Sequence, residues 1–362
     1  MICIGAFRRF YMASKMYLST LVDKFWSPHF WFGETNITWN DFVDVNTSTH
    51  EVMYPIVAGL LLLVTRGTFS TYAIKFISSF KPKNNDNRSK KVSKNKILEE
   101  IFYSLKTSSR DHIIKEAIKE DISEREAERW LRNRLKEDAK TQKLFDTSMR
   151  AIYYTFMGIY GISIIYEKPW LWNTRKCWDD YPRHRVDDKT RRYYLIQLTF
   201  YWYLTFSQVS GDSTKKRKDF WQMLLHHIAT ITLISFSWVS NKVRVGMLVV
   251  VLHDMADIAL EIAKMCLYAN FQKTSTTMYK VFAVTWIITR LYIFPKYVIY
   301  STMFELPEII GIAPADIFMI AFLIVLQILH VFWTYFLIKG ILNFKKKGKV
   351  EKDERSDSDD SD

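Results

Sequence analysis

Two apolar stretches of bilayer length, adjacent in the chain, carry ionisable groups that a bilayer should exclude. The run from Asp219 to Lys264 reads DFWQMLLHHIATITLISFSWVSNKVRVGMLVVVLHDMADIALEIAK. On either side of Ser240–Lys242, each half is long enough to cross hydrocarbon as a helix of roughly 20 residues. The first half holds His226 and His227; the second holds His253, Asp254, Asp257, Glu261 and Lys264. A charged side chain at mid-bilayer costs about 2.5 kcal/mol or more, so such residues face a protein interior and commonly do chemistry or carry a substrate. A chain built this way must bury both stretches against further helices, and the candidate function lies between them.

The rest of the chain supplies those helices. The mean hydropathy of −0.09 is that of a soluble protein, but it averages very polar segments with very apolar ones. Aromatics at 16%, with 12 Trp, suit a membrane protein with interfacial belts. Apolar segments fall at 54–77, 147–166, 191–210, 220–239, 244–268, 280–300 and 315–342, the first interrupted by Arg66. The breaks carry Pro169, Pro182, Gly211–Asp212, Asn241, Asn270–Thr274 and Pro307–Pro314. This pattern predicts an all-α, polytopic transmembrane helical bundle of about seven spans.

Charge sets the orientation. The net charge of +13 would suit a nucleic-acid binder, but the same excess arises when Lys and Arg crowd one side of a multispanning protein. The basic segments are 81–143, Lys215–Lys218 (KKRK) and 345–349 (KKKGK), and seven spans place all three on the cytoplasmic side. The N-terminus is then lumenal, and the sequons at Asn36 and Asn46 are expected glycosylation sites there. One loop strains this orientation: 167–190, expected to be lumenal, holds several Arg and Lys among its acids. The first 25 residues show no apolar core with a cleavage site, so no signal peptide is expected. Cys3, Cys177 and Cys266 form no readable disulfide framework or metal pair.

Residues three or four apart share a helix face. His253, Asp257, Glu261 and Lys264 should therefore form one stripe with Asp254 beside it, facing His226 and His227 across a narrow gap between antiparallel neighbours. Imidazoles beside carboxylates can do acid–base work, and a neutral imidazole can attack a thioester and carry the acyl group. A purely structural role competes for each residue singly: Glu261 and Lys264 also read as an i,i+3 ion pair, and His330, alone in the last span, reads as packing. Arg290 suits a phosphate or an acid. A metal on His226, His227, His253 and Asp257 is the chemical rival; membrane di-iron sites need more histidines than the 8 present, and none is expected.

These residues resemble a family. The paired histidines, Asn241, Arg244, Gly246, His253-Asp254 and the downstream Asp257, Glu261 and Lys264 are similar to the signature of ceramide synthases, membrane N-acyltransferases of the TLC-domain class. The resemblance covers nearly the whole chain. It implies a lumenal segment at 1–50, a first transmembrane helix at 51–80, a cytoplasmic linker and homeobox-like helical segment at 81–140, a TLC catalytic domain at 141–343, and a disordered basic-then-acidic cytoplasmic tail at 344–362. It also implies endoplasmic-reticulum residence and transfer of a fatty acyl group from acyl-CoA to the amine of sphinganine or sphingosine, without a cofactor. His226, His227, His253, Asp254 and Asp257 map onto the family's catalytic positions. Glu261, Lys264 and Arg290 are candidate substrate-binding residues. Membrane lipids are expected neighbours, and homo- or heterodimers fit the family. By the same resemblance, the segment around Glu305–Ala315 tunes acyl length.

Two segments stand apart. Trp130–Lys136 (WLRNRLK) resembles a homeodomain recognition helix, but Glu116, Glu120, Asp121, Glu124, Glu126 and Glu128 precede it and would oppose phosphates. Support of the membrane domain is expected instead of nucleic acid. The tail offers Ser356, Ser358 and Ser361 among acids as phosphorylation candidates. A lipid sensor or carrier that binds a head group with the same stripe, and a tethered DNA-binding regulator, are the alternative functions.

Overall fold

The computed structural model describes residues 19–33, 37–42, 48–79, 96–102, 110–210 and 218–347. Asn36, Asn46, Ser356, Ser358 and Ser361 lie outside them. All regular structure among the described residues is helical. The principal helices are α1 (Tyr54–Ser79), α2 (Arg110–Lys119), α3 (Glu124–Ile165), α4 (Asp188–Val209), α5 (Phe220–Val239), α6 (Val243–Tyr268), α7 (Gln272–Ile310) and α8 (Pro314–Lys347).

Every apolar segment expected to cross the membrane is helical. Four are long and apolar enough to do so on composition: Thr49–Ser70, Phe220–Val239, Gln272–Ile310 and Pro314–Asn343. The apolar part of α3, together with α4 and α6, falls short of that composition because Tyr, Gln and ionisable residues dilute it. α6 and α4 are shielded by neighbours: α6 lies against α3, α5 and α7, and α4 against α1 and α5, whereas α3 leaves Ile152, Phe156 and Ile159 exposed. A helix shielded by neighbours needs less apolar surface than one facing lipid. Arg66 is neutralised rather than disruptive, since its guanidinium meets Asp146 of α3 at 2.8 Å.

Two helices depart from the expected lengths. α7 runs past the expected end near 300 to Ile310, and its middle, Ile287–Ile299, winds as a π-helix with Pro295 inside it. Proline has no N–H and crowds the preceding turn, and the wider winding keeps the helix going through it. α3 spans 42 residues without a break. Its N-terminal part belongs to a small helical unit, with the helix at 96–102 and α2, around buried Leu98, Ile113, Ala117, Ile122 and Leu131. Ile113, Ile114 and Ala117 turn inward, and Ile118 is exposed. Arg134 of the recognition-like helix pairs with Glu99 and Asp138.

The end of the bundle at the α5–α6 turn is closed by tight contacts. Asn241 takes a left-handed backbone (φ 53°), which an Asn tolerates better than most residues. Its amide donates to the carbonyls of Pro182 (2.6 Å) and His184 (3.0 Å), tying the turn to the α3–α4 loop. Lys242 forms a buried ion pair with Asp316 of α8 and lies 5.3 Å from the ring of Tyr181. The same Asp316 accepts from the Ala313 N–H at 3.0 Å, capping α8. Trp31 and Phe32, with Phe25 and Trp39, pack on Phe236 and Ala315. The basic α3–α4 loop is balanced by acids: Arg175 makes two bonds to Glu308 (2.7 and 2.9 Å), and Lys168 reaches Asp187 at 3.4 Å.

Candidate active site

Three helices bring imidazoles together at the centre of the bundle. His226 lies on the second turn of α5, His253 midway along α6 and His330 midway along α8. The His226 and His253 rings are nearly parallel (28°) with centroids 6.3 Å apart, and His253 and His330 approach to 3.1 Å between their Nε2 atoms. Nδ1 of His253 sits 2.6 Å from the Val249 carbonyl. A carbonyl can only accept, so neutral His253 carries its proton on Nδ1, and its Nε2 accepts from the Nε2–H of His330. His226 packs edge-on against Trp333 (5.4 Å between centroids), and Trp333 is itself held by a bond to Asp219 (3.1 Å). The Nδ1 atom of His226 is buried with no hydrogen-bond partner. His226 is thus an imidazole with an unspent ring nitrogen, held in place by aromatic packing. His227 is buried beside Tyr201, with ring centroids 6.3 Å apart.

The expected acid stripe on α6 is divided among several neighbours. Asp254, completely buried, accepts from Tyr193 (2.9 Å) and Gln197 (2.5 Å) of α4. Gln197 in turn accepts from Tyr153 of α3 at 3.0 Å. Asp257 faces Arg290 of α7 at 3.9 Å. Arg290, also buried, donates to the carbonyls of Leu252 (3.2 Å) and His253 (2.9 Å) and lies over the Trp286 ring at 5.2 Å. It fixes the backbone of the His253 turn as well as answering an acid. Glu261 accepts from Arg150 of α3 (3.0 Å) and from Lys264 (3.1 Å), so the i,i+3 pair read from the sequence is formed. A buried pair of this kind is costly to break, because one charge would be left in a dry interior. Cys266 is buried.

The reason for the division is geometric. Each residue turns about 100° around a helix, and α6 has neighbours on most sides, so residues three or four apart still meet different partners. His330, read as packing, belongs to the imidazole cluster. Tyr193, Gln197 and Tyr153, which sequence reasoning passed over, hold Asp254. Among the described residues no three His, Cys, Asp or Glu side chains converge as a metal-binding group.

A narrow apolar cleft leads from His253 towards the α5–α6 turn. Thr230, Leu233, Gly246, Val249, Met319 and Leu323 are among its walls, and only about 30 Å³ of it is wide enough to admit a water. Its walls are almost wholly apolar and keep bulk water from the imidazole end; a hydrocarbon chain, thicker than water, enters only if α5, α6 and α8 part.

A helical membrane bundle with this buried imidazole–carboxylate centre has relatives. Residues 144–339 match the TLC domain family. The chain is 35% identical over 340 residues to ceramide synthase 5 of Mus musculus, covering 92% of this chain and 81% of the relative. It is 36% identical over 323 residues to ceramide synthase 3 of the same animal (87% and 82%). It is also 34% identical over 238 residues to ceramide synthase hyl-2 of Caenorhabditis elegans (63% and 71%). The chain therefore belongs to the ceramide synthase family.

Proposed function

We propose that this membrane acyltransferase moves a fatty acyl group from acyl-CoA to the amine of a sphingoid base, giving ceramide or dihydroceramide and free CoA. The observation that carries the reading is the unspent Nδ1 of His226 beside the His253–His330 pair. Family membership supports the reaction class.

In this reading His226 either attacks the thioester, forming an acyl-imidazole that the amine then resolves, or takes the proton of the attacking amine directly. His253 and His330, bonded to each other, form the polar side of the pocket next to His226. Asp254 and Asp257 set the charge around them, and Arg290 positions the His253 turn. Glu261 and Lys264, locked together with Arg150, shape the site's wall rather than reach for substrate. The acyl chain lies in the apolar cleft, where water that would hydrolyse the thioester is scarce. CoA, a polyanion, arrives from the side of the basic segments, which is cytoplasmic if the N-terminus is lumenal in the endoplasmic reticulum.

The test is a microsomal assay with labelled sphinganine and a series of acyl-CoAs. His226→Ala should abolish product while the protein stays in the membrane at normal abundance. Product formation by that variant would overturn the assignment. Denaturing mass spectrometry after a single turnover without amine separates the two routes: an adduct of acyl mass on His226 marks the covalent one.

A further inference from the structure

On the other side of Asp254 from the imidazoles, α1, α3 and α4 splay apart and leave a groove of about 680 Å³. That volume falls within the usual range for a small-molecule site. Its apolar part is made by Leu62 of α1, Met149 of α3, and Leu195 and Ile196 of α4. Met149 and Ile196 are exposed there, so the groove opens sideways towards the hydrocarbon. Its other part is charged, with Arg66, Asp146 and Arg150.

The charges decide what fits. Asp146 already accepts from Arg66 (2.8 Å) and from Gln142 (3.0 Å). Arg150 bonds Glu261 through Nε, and its side chain remains one-third exposed. Both guanidiniums are paired, Arg66 with Asp146 and Arg150 with Glu261, but Arg150 uses only Nε and keeps its two Nη groups to offer an anion. A protonated amine would find no unspent carboxylate among the groove's walls. A phosphate would meet the planar N–H fork that matches its oxygens. The charged residues lie partway along α1 and α3, with Leu62, Leu195 and Ile196 deeper and Phe69 and Phe145 on the side of the small helical unit.

We propose that this groove binds one anionic phospholipid, its phosphate on Arg150 beside the Arg66–Asp146 pair and its chains along Leu195 and Ile196. The groove wall touches the reaction centre's supports twice, through Arg150 to Glu261 and through Tyr153 to Gln197 and Asp254. The lipid is thus a structural companion of the active site, distinct from its substrates.

The test uses the full chain purified in mixed micelles holding equal amounts of dioleoylphosphatidic acid and dioleoylphosphatidylcholine, with retained lipids counted by native mass spectrometry. One phosphatidic acid should be retained per chain, roughly tenfold in preference to phosphatidylcholine, whose choline cation offsets its phosphate, a difference of about one charge-assisted bond. Arg150→Gln should lower that retention by about fivefold or more. Because this change also strips Glu261 of a partner, Ile196→Trp provides a second variant that fills the groove and leaves every charge in place. It should lower retention similarly, with an unchanged elution profile and melting temperature. Equal retention of the two lipids, or retention unaffected by Ile196→Trp, would overturn the proposal. So would displacement of the phosphatidic acid by an equal concentration of sphingosine, which would make the groove an amine port.

Discussion

The buried pair between Lys242 and Asp316 is the contact whose removal should cost this protein most. The two side chains are 1% and 3% exposed. Water cannot compensate either charge if the other is deleted. Breaking such a pair from one side costs about 3–5 kcal/mol, whereas replacing both charges is often close to neutral. Asp316→Asn keeps an oxygen for the Ala313 N–H, so the α8 cap survives and the loss reports the charge. Lys242→Met keeps most of the side-chain volume and leaves Asp316 stranded. Each single variant should therefore lose about 3–5 kcal/mol, and the double variant should return to within about 1–2 kcal/mol of the parent. The assay is equilibrium unfolding in SDS–maltoside mixtures followed by tryptophan fluorescence, completed as a double-mutant cycle. Met319 and Leu323 of α8 line the apolar cleft, so each single variant should also broaden the range of acyl chains used. Singles within about 1 kcal/mol of the parent, or a double variant equal to the sum of the singles, would refute the reasoning.

Three further outcomes are expected. Gly246→Ala would place a Cβ 1.9 Å from the Tyr194 hydroxyl, which is held by Val243 at 3.0 Å; overpacking should cost about 1–3 kcal/mol, read as a lowered melting temperature, and should pinch the cleft against long chains. Gln197→Leu and Tyr193→Phe each remove one donor from Asp254, so kcat in steady-state assays should fall about tenfold or more with KM little changed; Gln197→Glu should not rescue it. Stability should also fall on acidification through His184, which is buried in the α3–α4 loop with Arg244 nearby, the two effects together pushing its pKa down from 6.5 to about 3. The unfolded chain binds that proton below 6.5 and the folded one does not until about 3, so unfolding free energy drops as pH falls across this window. The loss at pH 5 is about 2 kcal/mol, and His184→Gln should flatten this slope in melting curves taken from pH 7.5 to 5.

The membrane helices were legible because each is a run of apolar residues whose length the bilayer fixes. The α5–α6 hairpin was legible from Asn241 and its neighbours, and the Glu261–Lys264 pair from its spacing of three. Partners distant in the chain were not. Arg66 read as a flaw in α1 because its acid, Asp146, lies 80 residues away. His330 read as packing because a lone imidazole carries no pattern, and its contact with His253 spans 77 residues. Tyr193 and Gln197 are uncharged and sit on a helix rich in similar side chains, so nothing local marked them as the holders of Asp254. Helical spacing puts the α6 acids near one another, but which neighbour faces each depends on how the bundle assembles: Asp254 turns to α4, Asp257 to α7 and Glu261 to α3, not to the histidines. The π winding of α7 around Pro295 was equally hidden, since a proline in an apolar run usually signals an end.

The unbroken course of α3 makes it a lever. At 42 residues and 1.5 Å per residue it is a rod of about 63 Å, one arm projecting into the small helical unit and the other threading the membrane bundle. Arg150 and Tyr153 sit partway along it, gripping Glu261 and Gln197. Anything that tugs on the free arm, whether a bound protein or a covalent mark, would displace those two grips in the same stroke, and the chemistry at the bundle's heart would register the pull with no joint in between to absorb it.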